Sequence, residues 1–464
     1  MNKKPGKDRN LLLITLLLLL LLSLLWLSGF NSGFVLLLME LAVMLGFALI
    51  FGGLMRRLNQ PAVLGEIIGG IILGQTVLGT IAPDLQSGLF PASGISARIL
   101  HALAYLGLIA FVFIAGLEVD LTCIRRRSRS TVITSLCGIA LPFALGFGMV
   151  SLMPGIWGIP SGELRIFALF MGTALSISAL PVIARILMDL NLLKAELGAM
   201  IITAATINDL VGWSLFALIL GSLNPGTGIG PDIGLTLVYF GILAIIIYRS
   251  GRSTARPSSH LIRSRIANGF SLMDRLLGII ALLLLALSVV SEFLGVHGIF
   301  GAFLAGAILS QRGERRNLIM RWAYYPVVVI LAPIYFTSIG LKADFAANFD
   351  LAIVLLVFVV ACAGKIVGAS IGARFSGMST RDSLVIGFGL NSRGAMEIVL
   401  ASLALDYGLI GEDIFVALVI MAIATTMIGG SMIQRLMISK AFVGRDKEDK
   451  IARSHPKIPA RDSS

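Results

Sequence analysis

Apolar and polar residues do not alternate along this chain with the period of a half-buried strand; they fall into fourteen apolar runs of about 20 residues separated by polar connections. The runs lie near residues 11–29, 33–54, 63–81, 98–117, 131–153, 165–188, 197–222, 233–249, 275–295, 297–311, 322–341, 350–374, 382–405 and 413–436. Runs of that length match helices crossing a hydrocarbon core, and the lack of barrel-type alternation selects helices over a closed barrel. The expectation is an all-α, polytopic membrane protein of 13 or 14 transmembrane helices.

The uncertainty of one concerns residues 1–30. LLLITLLLLLLLSLLWLSGF follows a basic start, as in a signal peptide, but is longer than a usual signal core and lacks a clear small-residue cleavage site. It reads as an extra N-terminal helix, with a signal-like segment as the alternative. Residues 31–437 then form the membrane domain, and 438–464 a basic, Pro-containing cytoplasmic tail expected to be disordered and too short for a nucleotide-binding domain.

Two runs are interrupted. The sixth, FALFMGTALSISALPVIARILMDL, carries Ser176, Ser178 and Pro181; the thirteenth, DSLVIGFGLNSRGAMEIVLASLAL, carries Gly387, Gly389, Asn391, Ser392 and Gly394. Proline removes a backbone donor and clashes with the preceding turn, and hydroxyls satisfy the groups so freed. Each interrupted run is the middle of a trio, runs five to seven and twelve to fourteen, and the two trios start on opposite membrane faces. Paired broken helices in inverted repeats point to a transport site at the bilayer midplane.

Composition agrees with the pattern. Of 464 residues 57% are hydrophobic and 13% charged, against about 25% charged in an ordinary soluble chain, and the mean hydropathy is +0.95. The net charge of +12 does not signal a nucleic-acid partner, because the basic residues sit in the connections. Of 37 Lys and Arg, 32 fall on one side, including Arg56 and Arg57, the Arg125 cluster, Arg185 and Lys194, and the arginines between Arg249 and Arg275. Only Arg98, Arg165 and Lys342 fall on the other. The positive-inside rule makes the first face and the C-terminus cytoplasmic, most simply in the cell (inner) membrane. Cys123, Cys137 and Cys362 are scattered and match neither a disulfide framework nor a metal site.

The chemistry lies in the few polar residues inside the runs. Asn208 and Asp209 sit within AELGAMIITAATINDLVGWSLFALILGSL and Lys365 within VLLVFVVACAGKIVGASIGA. A charge at a helix centre costs about 2.5–3.5 kcal/mol on insertion scales and demands a partner or a water-filled cavity. A carboxylate in low dielectric binds a proton or an alkali cation but not both, which suffices for exchange. Asn208, Ser176, Ser178 and Thr203 offer neutral oxygens to a dehydrated cation. Lys365 cannot ligate one; it is a counter-charge to Asp209 or to carbonyls at a half-helix end. Gly364, Gly368 and Gly372 form a small-residue stripe that permits close packing around it. Arg393 and Glu397, at i,i+4, neutralise each other and hold the second break. Glu66 lines the inner vestibule or caps a packing contact. Glu118 and Asp120 read as a solvated pair beside the Arg125 cluster, and His101 and His297 as interfacial histidines.

In order and spacing, NQPAVLGEIIGGIILGQTVLG (59–79), GLIAFVFIAGLEVDL (107–121), ALPVIARILMDLNLLKAELG (179–198), AATINDLVGW (204–213), YFTSIGLKADF (335–345), Lys365 and NSRGAMEIVLA (391–401) resemble the monovalent cation:proton antiporters. The likeness is to the second branch, with plant cation/proton exchangers and bacterial sodium or potassium antiporters, and spans about 35–436. It implies a homodimer with a dimer domain (about 33–117 and 275–341) and a mobile core (about 131–222 and 350–436) in which the broken helices cross beside Asp209. Asn208 resembles the Asn-Asp pairs of electroneutral exchangers, whereas Lys365 is shared with electrogenic ones. The expected function is antiport of sodium or potassium against protons, without a cofactor. The alternatives are a gated potassium-efflux transporter of the same fold and an organic-anion/sodium symporter of related fold. An enzyme would need acidic metal-binding loops that no connection offers.

Overall fold

The structure, a computed structural model, describes residues 33–58, 60–118, 129–160, 162–190, 192, 195–222, 280, 282–291, 298–310 and 324–454. The runs at 11–29 and 233–249, Asp120, Cys123, Arg125, Lys194, the arginines between 249 and 275, and His297 lie outside the described residues.

The helices are α1 (Gly33–Arg57), α2 (Ala62–Leu73), α3 (Leu78–Ile81), α4 (Pro83–Leu89), α5 (Ile95–Glu118), α6 (Arg129–Leu152), α7 (Leu164–Ser176), α8 (Leu180–Asp189) and α9 (Glu196–Ser222). They continue as α10 (Leu282–Ser291), α11 (Gly298–Ser310), α12 (Tyr324–Lys342), α13 (Leu351–Phe375), α14 (Thr380–Leu390), α15 (Ala395–Asp406) and α16 (Glu412–Ser454). Among the described residues eight helices or helix pairs are long and apolar enough to cross a membrane, and α14 with α15, bent by 44°, makes a ninth span. In α12 the turn Val327–Leu331 is widened; Pro333 cannot donate to the Val329 carbonyl, and the helix absorbs the lost bond there.

Residue size sorts the faces of each helix, as α13 shows. Leu351, Leu355, Val359, Val367, Ile371 and Phe375 form an exposed apolar stripe suited to lipid. On the packing side, Cβ atoms added at Gly364, Gly368 and Gly372 would run into Pro142, Cys137 and Thr134 of α6. Without a hydrophobic drive between helices in lipid, such close backbone approach supplies the packing energy. Capping follows sequence at the same helix: the Asp350 carboxylate accepts the N–H groups of Ala352 and Ile353 at 2.8 and 3.1 Å.

The helices pack in two groups. In the first, α2 lies on α1 and α12, and α5 on α11 and α12. Gly70 and Gly340 let the α2 and α12 backbones touch, and Gly116 and Gly306 do the same for α5 and α11. The second group holds α6 to α9 and α13 to α16, with α6 on α7 and α13, α14 on α13 and α16, and α9 on α6 to α8. Within this group α6 and α13, the first helices of the two trios, stand side by side. One detail differs from expectation. The tail is helical to Ser454, continuous with α16, because KAFVGRDKEDKIARS consists largely of good helix formers and its first proline comes at 456. The sixth run breaks at Ile177–Ala179, within the expected Ser176–Pro181 interruption, and Pro181 lies in the first turn of α8, where proline is tolerated.

Candidate functional site

The two breaks pass each other inside the second group. Ala179 donates its N–H to the Ser392 carbonyl at 3.1 Å, and Ser178 Oγ lies 2.8 Å from the Leu390 carbonyl. Breaking α7 at Ser176 leaves carbonyls pointing along the helix axis, a partial negative pole. Three of them meet cations from the other trio: Arg393 donates to Ala174 at 3.0 Å and to Leu175 at 2.6 Å, and Lys365 Nζ donates to Ser176. Arg393 also forms a fully buried ion pair with Glu397 at 2.8 Å, and Thr426 of α16 donates to the Arg393 carbonyl. The i,i+4 pair read from sequence is therefore part of a cap that joins the repeats.

Pro181 keeps this arrangement open from the other side. A helix continued through the break would place the Ile177 carbonyl against its ring. The Ile177 side chain instead packs where Gly212 of α9 leaves room. Pro181→Ala removes that barrier; we expect normal membrane insertion and several-fold slower turnover. Unaltered turnover across a pH series would make the proline irrelevant to transport.

Asp209 lies on α9, 2% exposed, one carboxylate oxygen having no hydrogen-bond partner. The other side of the group faces the backbone of Leu180, the first residue of α8, so the carboxylate meets the positive pole of that half-helix. Asn208, fully buried, bridges three elements. Its amide oxygen faces Lys365 Nζ at 2.9 Å, since an ammonium offers only donors, and its nitrogen faces Ser135 Oγ at 2.7 Å and the Ala204 carbonyl at 3.1 Å. Ser178 Oγ lies 3.2 Å from the same amide oxygen, so its single proton is shared between that oxygen and Leu390.

Asn208, Asp209, Ser178, Ser176 and Lys365 thus converge at the crossover. The Ser176 and Thr203 hydroxyls, however, donate to carbonyls of their own helices, Thr173 and Ala199, both at 2.8 Å; Ser176 enters the site through its carbonyl. Glu66 is buried on α2 against Gly52 of α1, its carbonyl accepting from Thr337 at 3.3 Å. Sequence reasoning missed Ser135 and Thr426, which lock Asn208 and Arg393 in place; neither carries a charge or a break to mark it.

A cavity of about 160 Å³ opens on the arginine-bearing face, lined by Pro61, Glu118, Tyr324, Val182, Gly394 and Ala395 among others. Of these, Val182 lies in the first turn of α8, and Gly394 and Ala395 open α15. Glu118 lines this cavity, and its expected pairing with Asp120 lies outside the described residues. On the opposite face the helix groups are tied by Lys342, which contacts both Asp406 oxygens at 2.7 Å, and by Asn348, which donates to Glu412 at 2.8 Å.

Cation/H(+) antiporter 17 of Arabidopsis thaliana is 33% identical over 395 residues, covering 84% of this chain and 47% of the relative; the chain spans about half the length of the plant relatives it matches. The Na(+)/H(+) antiporter NhaS4 of Synechocystis sp. is 32% identical over 407 residues, covering 87% of this chain and 97% of that one. The fold is similar to that of the sodium proton antiporter MjNhaP1 from Methanocaldococcus jannaschii, with a TM-score of 0.58 at 15% identity over 88% of this chain and 99% of that one. The model of the transmembrane sodium/hydrogen exchangers matches residues 44–439, and the chain, a multi-pass membrane protein, belongs to that family.

Proposed function

We propose that this protein exchanges a monovalent alkali cation, sodium or potassium, for protons by alternating access, with Asp209 as the group for which the two compete. The observation that carries this reading is the Asp209 carboxylate, buried at the crossover with an oxygen unpartnered. A bare anion there is too costly to persist, so the group holds either a proton or a cation. The Ser178 hydroxyl offers a neutral oxygen beside it, and the Leu180 end of α8 stabilises the carboxylate form to which a cation binds. The relatives' names, antiporters of Na(+), K(+) and H(+), agree with the proposal.

The first helix group would be the scaffold and dimer interface of a homodimer, and the second the moving core. The Lys342–Asp406 and Asn348–Glu412 contacts bridge the two groups and would have to part for the site to open on the second face. By the charge pattern the cavity faces the cytoplasm, with the C-terminus on the same side of the cell membrane.

Lys365 bears on the charge moved per cycle. Its ammonium is held by the Ser176 carbonyl and the Asn208 amide oxygen, and as a cap on α7 it would keep its proton when a cation arrives. One proton then exchanges for one cation and the cycle is electroneutral. Purified protein in proteoliposomes should dissipate a pH gradient on addition of sodium or potassium, in a scan that includes lithium and rubidium. A transported charge is worth about 2.3 kcal/mol per 100 mV, so an imposed potential is a sensitive check. We expect the reversal point not to move with it. A shift would reject the electroneutral cycle, and loss of that shift in Lys365→Gln would assign the second proton to Lys365. No cation-dependent gradient dissipation at all would reject the exchange.

A further inference from the structure

We infer that Glu40 forms a second cation site, on the Lys342 face and separate from Asp209, that takes a monovalent alkali ion. Glu40 is the eighth residue of α1, about 10 Å along the helix from its Gly33 end at 1.5 Å per residue. It is fully buried, and neither carboxylate oxygen makes a well-formed hydrogen bond; the Ser96 hydroxyl, the side-chain group that interacts with it, carries no charge. The side chain borders a cavity of about 290 Å³ whose polar lining includes Gln75, His101, Tyr335, Lys342 and Asp406. Lys342, the one permanently charged cation among the described residues of that lining, is engaged by Asp406 at 2.7 Å. Among the described residues no cation of that lining pairs with the Glu40 charge, which lies beside a space large enough for several waters or a partly hydrated ion.

Ligand chemistry follows from the donor set. The Tyr335 hydroxyl is buried and unpartnered in the same lining, and Gln75 adds an amide oxygen. One carboxylate with neutral oxygens makes a hard site of single negative charge, matched to sodium, potassium or rubidium; a divalent ion would be left undercoordinated by charge. A proton on Glu40 would also remove the charge, but would leave the Tyr335 hydroxyl and most of the cavity without a function.

The test is equilibrium binding of radioactive sodium and rubidium to the full-length, purified Asp209→Asn protein. We expect one saturable equivalent to remain, and Asp209→Asn/Glu40→Gln to bind none. Absence of binding in Asp209→Asn, or binding that survives Glu40→Gln, overturns the proposal. Should the double variant fail to fold, Tyr335→Phe in the Asp209→Asn background decides: the affinity falls several-fold if the hydroxyl is a ligand, and equal affinity overturns the site. The result is independent of the proposed exchange at Asp209, which is judged by transport alone.

Discussion

Asp209→Asn leaves a folded protein that moves no protons in response to sodium or potassium. The substitution preserves size and one oxygen, so packing on α9 and the Leu180 end of α8 are little disturbed. Among the described residues it removes the only unpaired carboxylate at the crossover able to alternate between a proton and a cation. The neighbours cannot substitute: Asn208 is neutral, and Glu397 is bound to Arg393 at 2.8 Å. The change is expected to be all-or-none rather than graded, because competition at a single carboxylate has no partial form. Gradient dissipation in proteoliposomes, with size-exclusion chromatography to establish folding, measures it; exchange near the native rate would sink the single-site mechanism.

Arg393→Gln carries the largest expected loss of stability. The guanidinium is fully buried, caps two carbonyls of α7 and neutralises Glu397. Removing one partner of a buried pair leaves an uncompensated charge and costs about 3–5 kcal/mol, and the freed carbonyls add to that. Glu397→Gln should be milder, because Arg393 keeps both carbonyl bonds and an amide oxygen still accepts. Thermal unfolding of the two variants in detergent checks the order. Equal melting of Arg393→Gln and the native protein would show that water or another donor already fills the role of the cap.

Much of this site was legible because charges stand out in apolar runs. Asp209, Lys365, Arg393 and Glu397 each contradict their surroundings, and the contradiction is resolved at one crossover. The breaks were legible for a related reason, as small and hydroxyl residues cluster where a helix cannot continue. What the charges bind to was not legible. Lys365 had two candidate partners, and only geometry places it on the Ser176 carbonyl and Asn208. Ser135 was hidden, since a lone hydroxyl in an apolar helix usually bonds its own backbone, as Thr203 does. Glu40 lay near the end of a run, where an acid resembles a boundary residue; its burial comes from α5 and the α4–α5 connection folding over it. The tail misled because basic composition suggests disorder, whereas the same lysines, arginines and glutamates prolong a helix that is already nucleated.

The contact between the two breaks has a consequence for biogenesis. Ser178 and Leu390 are 212 residues apart, and the cap supplied by Arg393 to Ala174 spans 219. The chain emerges from the ribosome N-terminus first, so the first broken helix enters the bilayer long before the residues that satisfy it exist. Its open carbonyls must be hydrated or sheltered by the insertion machinery until the second trio arrives. Closure of such a long loop is slow compared with helix formation. The last steps of assembly therefore fall on the final trio, and a chain stopped before Arg393 has spanning helices but an unfinished polar centre.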